Sequence, residues 1–120
     1  DDISIITYGY GVHWATEIVN EMNINADILD LRSLAPLDYD AIEATVKKTG
    51  KVIILHEATQ TGGIGGELSA YISEHLFEHL DAPIIRATSL DTPVPFAKTL
   101  EKQFLPVDRF KSKIEKLLTY

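Results

Sequence analysis

Val52-Ile53-Ile54-Leu55-His56-Glu57 is an apolar run closed by a histidine and an acid, and a glycine cluster, Gly62-Gly63-Ile64-Gly65-Gly66, follows it. An uninterrupted apolar stretch this short and this β-branched predicts a strand covered on both faces, as in a parallel sheet. After the glycines, Leu68, Tyr71, Ile72, His75 and Leu76 fall on one stripe of a helix. The same strand-then-helix order appears on both sides. Upstream, Ile3 to Tyr8 reads as a first strand, broken by Gly9 and Gly11. Val12, Ala15, Ile18, Val19 and Met22 then give a helix over roughly 11–22. Ala26 to Leu31 reads as the second strand, which makes the apolar run Val52 to Leu55, within Lys51 to Leu55, the third. Pro36 ends the segment after the second strand, Asp38 suits a helix N-cap, Ile42 and Val46 mark that helix's inner face, and Gly50 suits its stop.

Downstream, Pro83 to Ala87 reads as a short fourth strand. Pro93 and Pro95 enforce an extended segment, a short helix is expected around 97–103, and Pro106 ends it. The last helix is expected from near Asp108, with Phe110, Ile114, Leu117 and Leu118 on one face. Strands alternating with helices predict an α/β fold: a mostly parallel sheet covered on both faces, with right-handed crossovers. Repeats, low-complexity tracts and linkers are not evident, so residues 1–120 are expected to form one domain.

Composition narrows the functions. With 45% hydrophobic and 24% charged residues the chain is globular rather than disordered. No apolar run approaches the roughly 20 residues of a membrane helix. The absence of cysteine excludes disulfides, thiolate metal sites and a cysteine nucleophile. A net charge of −7 disfavours a nucleic-acid partner and suits either solubility or the steering of a basic protein. The only methionine is Met22 and the chain opens at Asp1-Asp2, so it is expected to be a piece of a longer polypeptide.

Four candidate sites meet simpler readings. Gly9-Tyr10-Gly11 with Asp30 approaches a dinucleotide fingerprint, but Trp14 stands where the third glycine belongs, and a tight strand-to-helix turn is favoured. The second glycine cluster lacks the Lys-Ser or Lys-Thr of a phosphate loop. Glu67 follows instead, at a helix N-terminus where it would repel an anion. These glycines are expected to permit positive φ or the close approach of another backbone or subunit. His56 and Glu57 stand at a strand's carboxyl end, where ligands bind in parallel sheets, yet adjacent residues of a strand point oppositely and need not act together. His75 and His79 have metal-ligand spacing without a third ligand; His75 is expected to be partly buried and His79 to be a helix-terminal charge. For His13 beside Trp14 nothing decides between interface and surface.

Three stretches in order resemble one family. Asp30-Leu31-Arg32-Ser33-Leu34-Ala35-Pro36-Leu37-Asp38 is similar to a segment of transketolase-type C-terminal domains. His56-Glu57-Ala58 with Thr61-Gly62-Gly63-Ile64-Gly65-Gly66-Glu67 resembles the β-type subunits of thiamine-diphosphate-dependent 2-oxo acid dehydrogenases. So does the tail, Asp81-Ala82-Pro83-Ile84-Ile85-Arg86 and Asp91-Thr92-Pro93-Val94-Pro95-Phe96 with Leu100-Glu101. The resemblance implies a three-layer α/β/α domain with a mostly parallel sheet of five strands, of which four are found. It implies an enzyme that decarboxylates a 2-oxo acid on thiamine diphosphate and magnesium and passes the acyl group to lipoyl-lysine of an acyltransferase. The wording at His56-Glu57 and Asp81-Ala82-Pro83-Ile84 is closer to the branched-chain (2-oxoisovalerate) type than to the pyruvate type. Such an enzyme is cytoplasmic in bacteria and sits in the mitochondrial matrix in eukaryotes.

The cofactor-binding domains of that family are absent here, as are Gly-Asp-Gly followed by Asn and an activating glutamate, so no catalytic, cofactor or metal residue carries over. The isolated domain is expected to be inactive and to serve subunit assembly and docking of the lipoyl acyltransferase component. The expected subunit interface comprises His56, Glu57, Gly62, Gly63, Gly65, Gly66 and Glu67; the expected acyltransferase contact is Tyr120, where the terminal carboxylate and the acidic excess would face a basic partner domain. Two other classes stay open: a transketolase or deoxyxylulose-phosphate synthase domain, and a free-standing module binding a small anion or nucleotide at the Gly9 or Gly62 turn. The sequence does not separate a β subunit from the β part of an α–β fusion.

Overall fold

The computed structural model describes residues 1–120. Four strands, β1 (Ile3–Thr7), β2 (Ala26–Asp30), β3 (Val52–Thr59) and β4 (Ile85–Ser89), form one parallel sheet in the order β2-β1-β3-β4. Five helices complete it: α1 (Gly11–Met22), α2 (Tyr39–Thr49), α3 (Ile64–Leu76), α4 (Lys98–Phe104) and α5 (Val107–Leu118). The three-layer α/β/α reading with a sheet of four or five strands holds, and the four strands found in the sequence are the four of the sheet.

Period-two alternation sorts the strands onto two cores. Ile3, Ile5, Ile53, Leu55 and Ala87 face α1 and α5, where they bury Trp14, Ala15, Ile18, Phe110, Ile114 and Leu117. Ile6, Val52 and Ile54 face α2 and α3, packing on Ile42, Val46, Leu68, Ile72 and Leu76. Each fully buried aliphatic or Phe side chain contributes about 1.5–3 kcal/mol, so the two apolar layers supply most of the drive to fold. Ser4 is the exception inside β1. It points at α2 and its hydroxyl donates to the Thr45 carbonyl at 2.9 Å, in a buried network that runs through Thr45 to Asp27.

The helix boundaries follow their caps. The Asp38 carboxylate accepts from the Ala41 N–H at 3.0 Å and starts α2. Gly50, at φ 69°, ends it in the left-handed conformation that a glycine adopts without steric cost. The Ala35–Pro36 peptide is cis.

Two strands depart from expectation. β3 does not stop at Leu55 but continues through His56 and Glu57 to Thr59, with a register irregularity between His56 and Thr59. β4 begins at Ile85 rather than Pro83, consistent with a proline that offers no N–H to a ladder.

The free edge of β4 is closed by α5. Arg109 donates to the carbonyls of Thr88 (2.8 Å), Phe104 (3.1 Å) and Gln103 (2.6 Å), and the Lys113 ammonium donates to the Arg86 carbonyl. Arg109 thereby satisfies the last carbonyls of α4 as well as the edge strand. Arg109→Met is expected to cost about 1–3 kcal/mol, because it strands the Thr88 and Gln103 carbonyls, whereas the Phe104 carbonyl keeps the Leu90 N–H at 3.0 Å. Urea unfolding measures it; an unchanged midpoint would remove Arg109 from the fold's support.

Candidate functional site: the carboxyl end of the sheet

β1 lies between β2 and β3, so the chain leaves it to one side and returns on the other, making a topological switch point at the carboxyl ends of β1 and β3. A cleft of about 560 Å³ lies there, lined by Tyr8 after β1, Glu57 to Thr59 of β3, and Val94, Glu101 and Phe104 from the C-terminal third. Tyr8 is half-buried, and its phenol is pushed above the ordinary value by burial and then by the Glu57 charge.

His56 and Glu57 diverge. Glu57 is exposed at the cleft, whereas His56 turns to the α3 face and is fully buried. The His56 Nε2 accepts the Gly65 N–H at 3.2 Å, and its Nδ1–H donates to the Ala58 carbonyl at 2.9 Å. A main-chain N–H can only donate and a carbonyl only accept, so these partners fix the neutral Nδ1–H tautomer. A Cβ on Gly65 would sit 2.7 Å from Nε2, and one on Gly63 would sit 2.7 Å from Cε1 and press on the Thr59 carbonyl. These two glycines are therefore occupied by close approach to a histidine of the same chain. Gly62, at φ 76°, is exposed with open space around it, Gly66 is half-buried near Arg86, and Glu67 is exposed.

A second clamp joins two of the family-like stretches. The Thr61 N–H (2.9 Å) and hydroxyl (2.6 Å) both donate to the Asp91 carboxylate, tying the glycine loop to the segment after β4. Those two bonds hold the Asp91 pKa below the usual carboxylate value.

Burial holds the His56 pKa below the ordinary histidine value; the Ala58 carbonyl opposes this and the Arg86 charge adds to it. In the window between that depressed value and about 6.5 the unfolded chain binds the proton more readily than the folded one. The stabilisation is therefore fully present above the ordinary value and is lost as pH falls through the window. The expected result is a decline in the urea midpoint between about pH 7.5 and pH 5 that His56→Gln flattens. A variant with the same slope as wild type would show that His56 does not titrate on unfolding.

The remaining candidates disperse. Thr7 and Gly11 meet in a tight strand-to-helix turn, with Tyr10 edge-on to buried Trp14 and against His13. α3 ends at Leu76, so His79 lies in the 3-10 turn Phe77–His79 and does not continue the helical spacing from His75. His75 is exposed where partial burial was expected, because it sits on the outer rim of α3, its ring 4.5 Å from that of Tyr71. No group of three His, Asp or Glu side chains is placed to hold a metal, and no helix is long and apolar enough to cross a membrane. Tyr120 is exposed, its carbonyl accepts from Lys51, and Lys113 and Lys116 line a cleft with it, so its surroundings are basic rather than acidic.

The feature that sequence reasoning missed is an apolar strap. Between β4 and α4, Val94 is 67% exposed and Phe96 102% exposed, with Leu90 and Leu100 also uncovered. Pro93 and Pro95 hold this segment extended beside the cleft. Alternation of Pro with Val and Phe, without a strand or helix period, was the available signal.

Comparison with known proteins agrees with this architecture. The 2-oxoisovalerate dehydrogenase subunit beta of Pseudomonas aeruginosa is 50% identical over 96 residues, covering 80% of this chain and 27% of its own. The pyruvate dehydrogenase E1 component subunit beta of Porphyra purpurea is 47% identical over 105 residues, covering 84% and 31%. The 3-methyl-2-oxobutanoate dehydrogenase subunit beta of Mycobacterium tuberculosis is 39% identical over 122 residues, covering 98% and 35%. The chain thus spans about a third of the length of these relatives. A solved structure described as a split-gene transketolase, inactive beta4 tetramer, shares the fold with a TM-score of 0.80 at 24% identity, over 98% of this chain and 38% of that one. The family model described as transketolase, C-terminal domain, matches residues 1–109. With that match over nearly its whole length, and a parallel α/β/α sheet of the same fold, the chain belongs to the transketolase C-terminal domain family.

Proposed function

We infer that this chain is the assembly and docking domain of the decarboxylating component of a 2-oxo acid dehydrogenase, of the branched-chain type ahead of the pyruvate type. The observation that carries this reading is the Val94–Phe96 strap, an apolar surface left uncovered beside the cleft at the carboxyl end of the sheet. Exposed apolar side chains gathered beside a cleft mark a place where another surface sits. Relatives named as β subunits of 2-oxoisovalerate and pyruvate dehydrogenases, about three times as long, support the remainder of the polypeptide and its partner subunits as what sits there. Glu57, Gly62 and Glu67 are the members of the expected interface that reach the surface, while His56, Gly63 and Gly65 shape the loop from within.

The cleft does not suit a thiamine diphosphate cofactor. Its charged side chains are Glu57 and Glu101, which repel a diphosphate, and Glu67 stands in the first turn of α3. The cofactor and magnesium belong to the other domains of the enzyme, and acyl transfer to the lipoyl-lysine of the acyltransferase is a property of the whole assembly. In this reading Tyr120 meets the acyltransferase by packing of its exposed ring and not by negative charge, because Lys51, Lys113 and Lys116 lie beside it. Calorimetric titration of the 120-residue chain with thiamine diphosphate and magnesium is expected to give no saturable binding at micromolar concentration. A micromolar, magnesium-dependent dissociation constant would overturn the reading.

A further inference from the structure

Although the chain carries a net charge of −7, four of its 11 Lys and Arg side chains gather at the β4 edge. Arg86 projects from β4, and Arg109, Lys113 and Lys116 recur at i, i+4 and i+7 on α5, which places them on one helical face. A cleft of about 450 Å³ takes in Gln60, Arg86, Lys113 and Lys116. It continues past Gln60 and Lys113 into a smaller one of about 270 Å³ that reaches Arg109 and Ser89. None of the four cations is in an ion pair, whereas Arg32, Lys47, Lys48 and Lys111 each have a carboxylate. Asp91 lines the smaller cleft and stays ionised under its two bonds from Thr61, with its charge felt at Arg86, so the larger cleft is the one free of side-chain carboxylates.

The charges are also held in place. Arg109 is anchored on three carbonyls and Lys113 on a fourth, so neither swings freely into solvent. Ser89, also lining the smaller cleft, is buried and its hydroxyl has no partner within the chain. Crowding of like charges is unfavourable, and it is felt locally: the Lys113 ammonium is pushed below its ordinary value by burial and by Arg109, Arg86 and Lys116. A bound anion would reverse that cost.

We propose that this β4–α5 cleft binds a small phosphate-bearing anion between Arg86, Lys113 and Lys116, with Gln60 at its rim. A phosphate brings close to two charges and a tetrahedral set of acceptors, which suits a guanidinium fork flanked by two ammonium groups better than a single carboxylate does. The acidity of the remaining surface works against an extended polyanion such as nucleic acid and leaves a compact one favoured.

The test is calorimetric titration of the 120-residue chain with inorganic phosphate and, separately, with pyrophosphate, alongside circular dichroism to confirm that each variant is folded. Saturable binding at or below about 1 mM is expected, weakened about tenfold or more by Arg86→Gln and by Lys113→Gln. Lys47→Gln, on α2 at the opposite face, is expected to leave it unchanged. No saturation up to about 10 mM, equal affinity in all variants, or saturation by a poly-glutamate peptide but by neither phosphate would overturn the proposal.

Discussion

Gly65→Val is expected to destabilise the chain by about 3 kcal/mol, the upper part of the range for forcing volume into a packed interior. Gly65 needs no positive φ, so the cost is one of contact alone. Its new Cβ would stand 2.7 Å from His56 Nε2 and 3.4 Å from Ile54 Cγ2. The ring has nowhere to go, because its other nitrogen is bonded to Ala58 and it is fully buried beneath α3. A double-mutant cycle isolates this cause. In a His56→Ala background the ring is gone, and the cost of Gly65→Val is expected to fall by at least about 1 kcal/mol. The same penalty in both backgrounds would mean that His56 is not what the glycine accommodates.

The second large effect concerns assembly rather than stability. Val94→Asp with Phe96→Asp changes side chains that the domain leaves exposed, so the isolated chain is expected to lose less than about 0.5 kcal/mol. In the complete enzyme the same pair would place two carboxylates in an apolar contact. Subunit association is expected to weaken at least about 30-fold, the effect of removing a hot spot of about 2 kcal/mol. Sedimentation velocity of the complete enzyme reads it directly. Association indistinguishable from wild type would take the strap out of the interface.

Much of the fold was readable in advance because local chemistry and global fold agree. Asp38 and Gly50 bound α2 as their capping preferences dictate, and the apolar runs at Ile3, Ala26 and Val52 became parallel strands. The site was readable only in part. That His56 and Glu57 point apart followed from the alternation of a strand. That His56 is the object the glycines close upon did not, since Gly65 meets it through the turn from β3 into α3. The clamp from Thr61 to Asp91 spans 30 residues and leaves no local periodicity to detect. Ser4 offers a similar case: inside an apolar run nothing signalled that Thr45 would satisfy it. The 109–113–116 spacing was visible on one helix, but Arg86 joins those cations only once β4 is laid beside α5.

The assembly reading is tested most directly by the accessibility of the strap in the complete enzyme. The chain contains no cysteine, so Phe96→Cys introduces a unique thiol into it. Phe96 is 102% exposed here, and in the isolated domain the thiol is expected to react with maleimide at the rate of a free cysteine. In the assembled enzyme, with labelling mapped by mass spectrometry, the account predicts slowing by at least about tenfold, as for a group opened only by partial dissociation. Equal labelling rates in the isolated domain and in the assembled enzyme would contradict it.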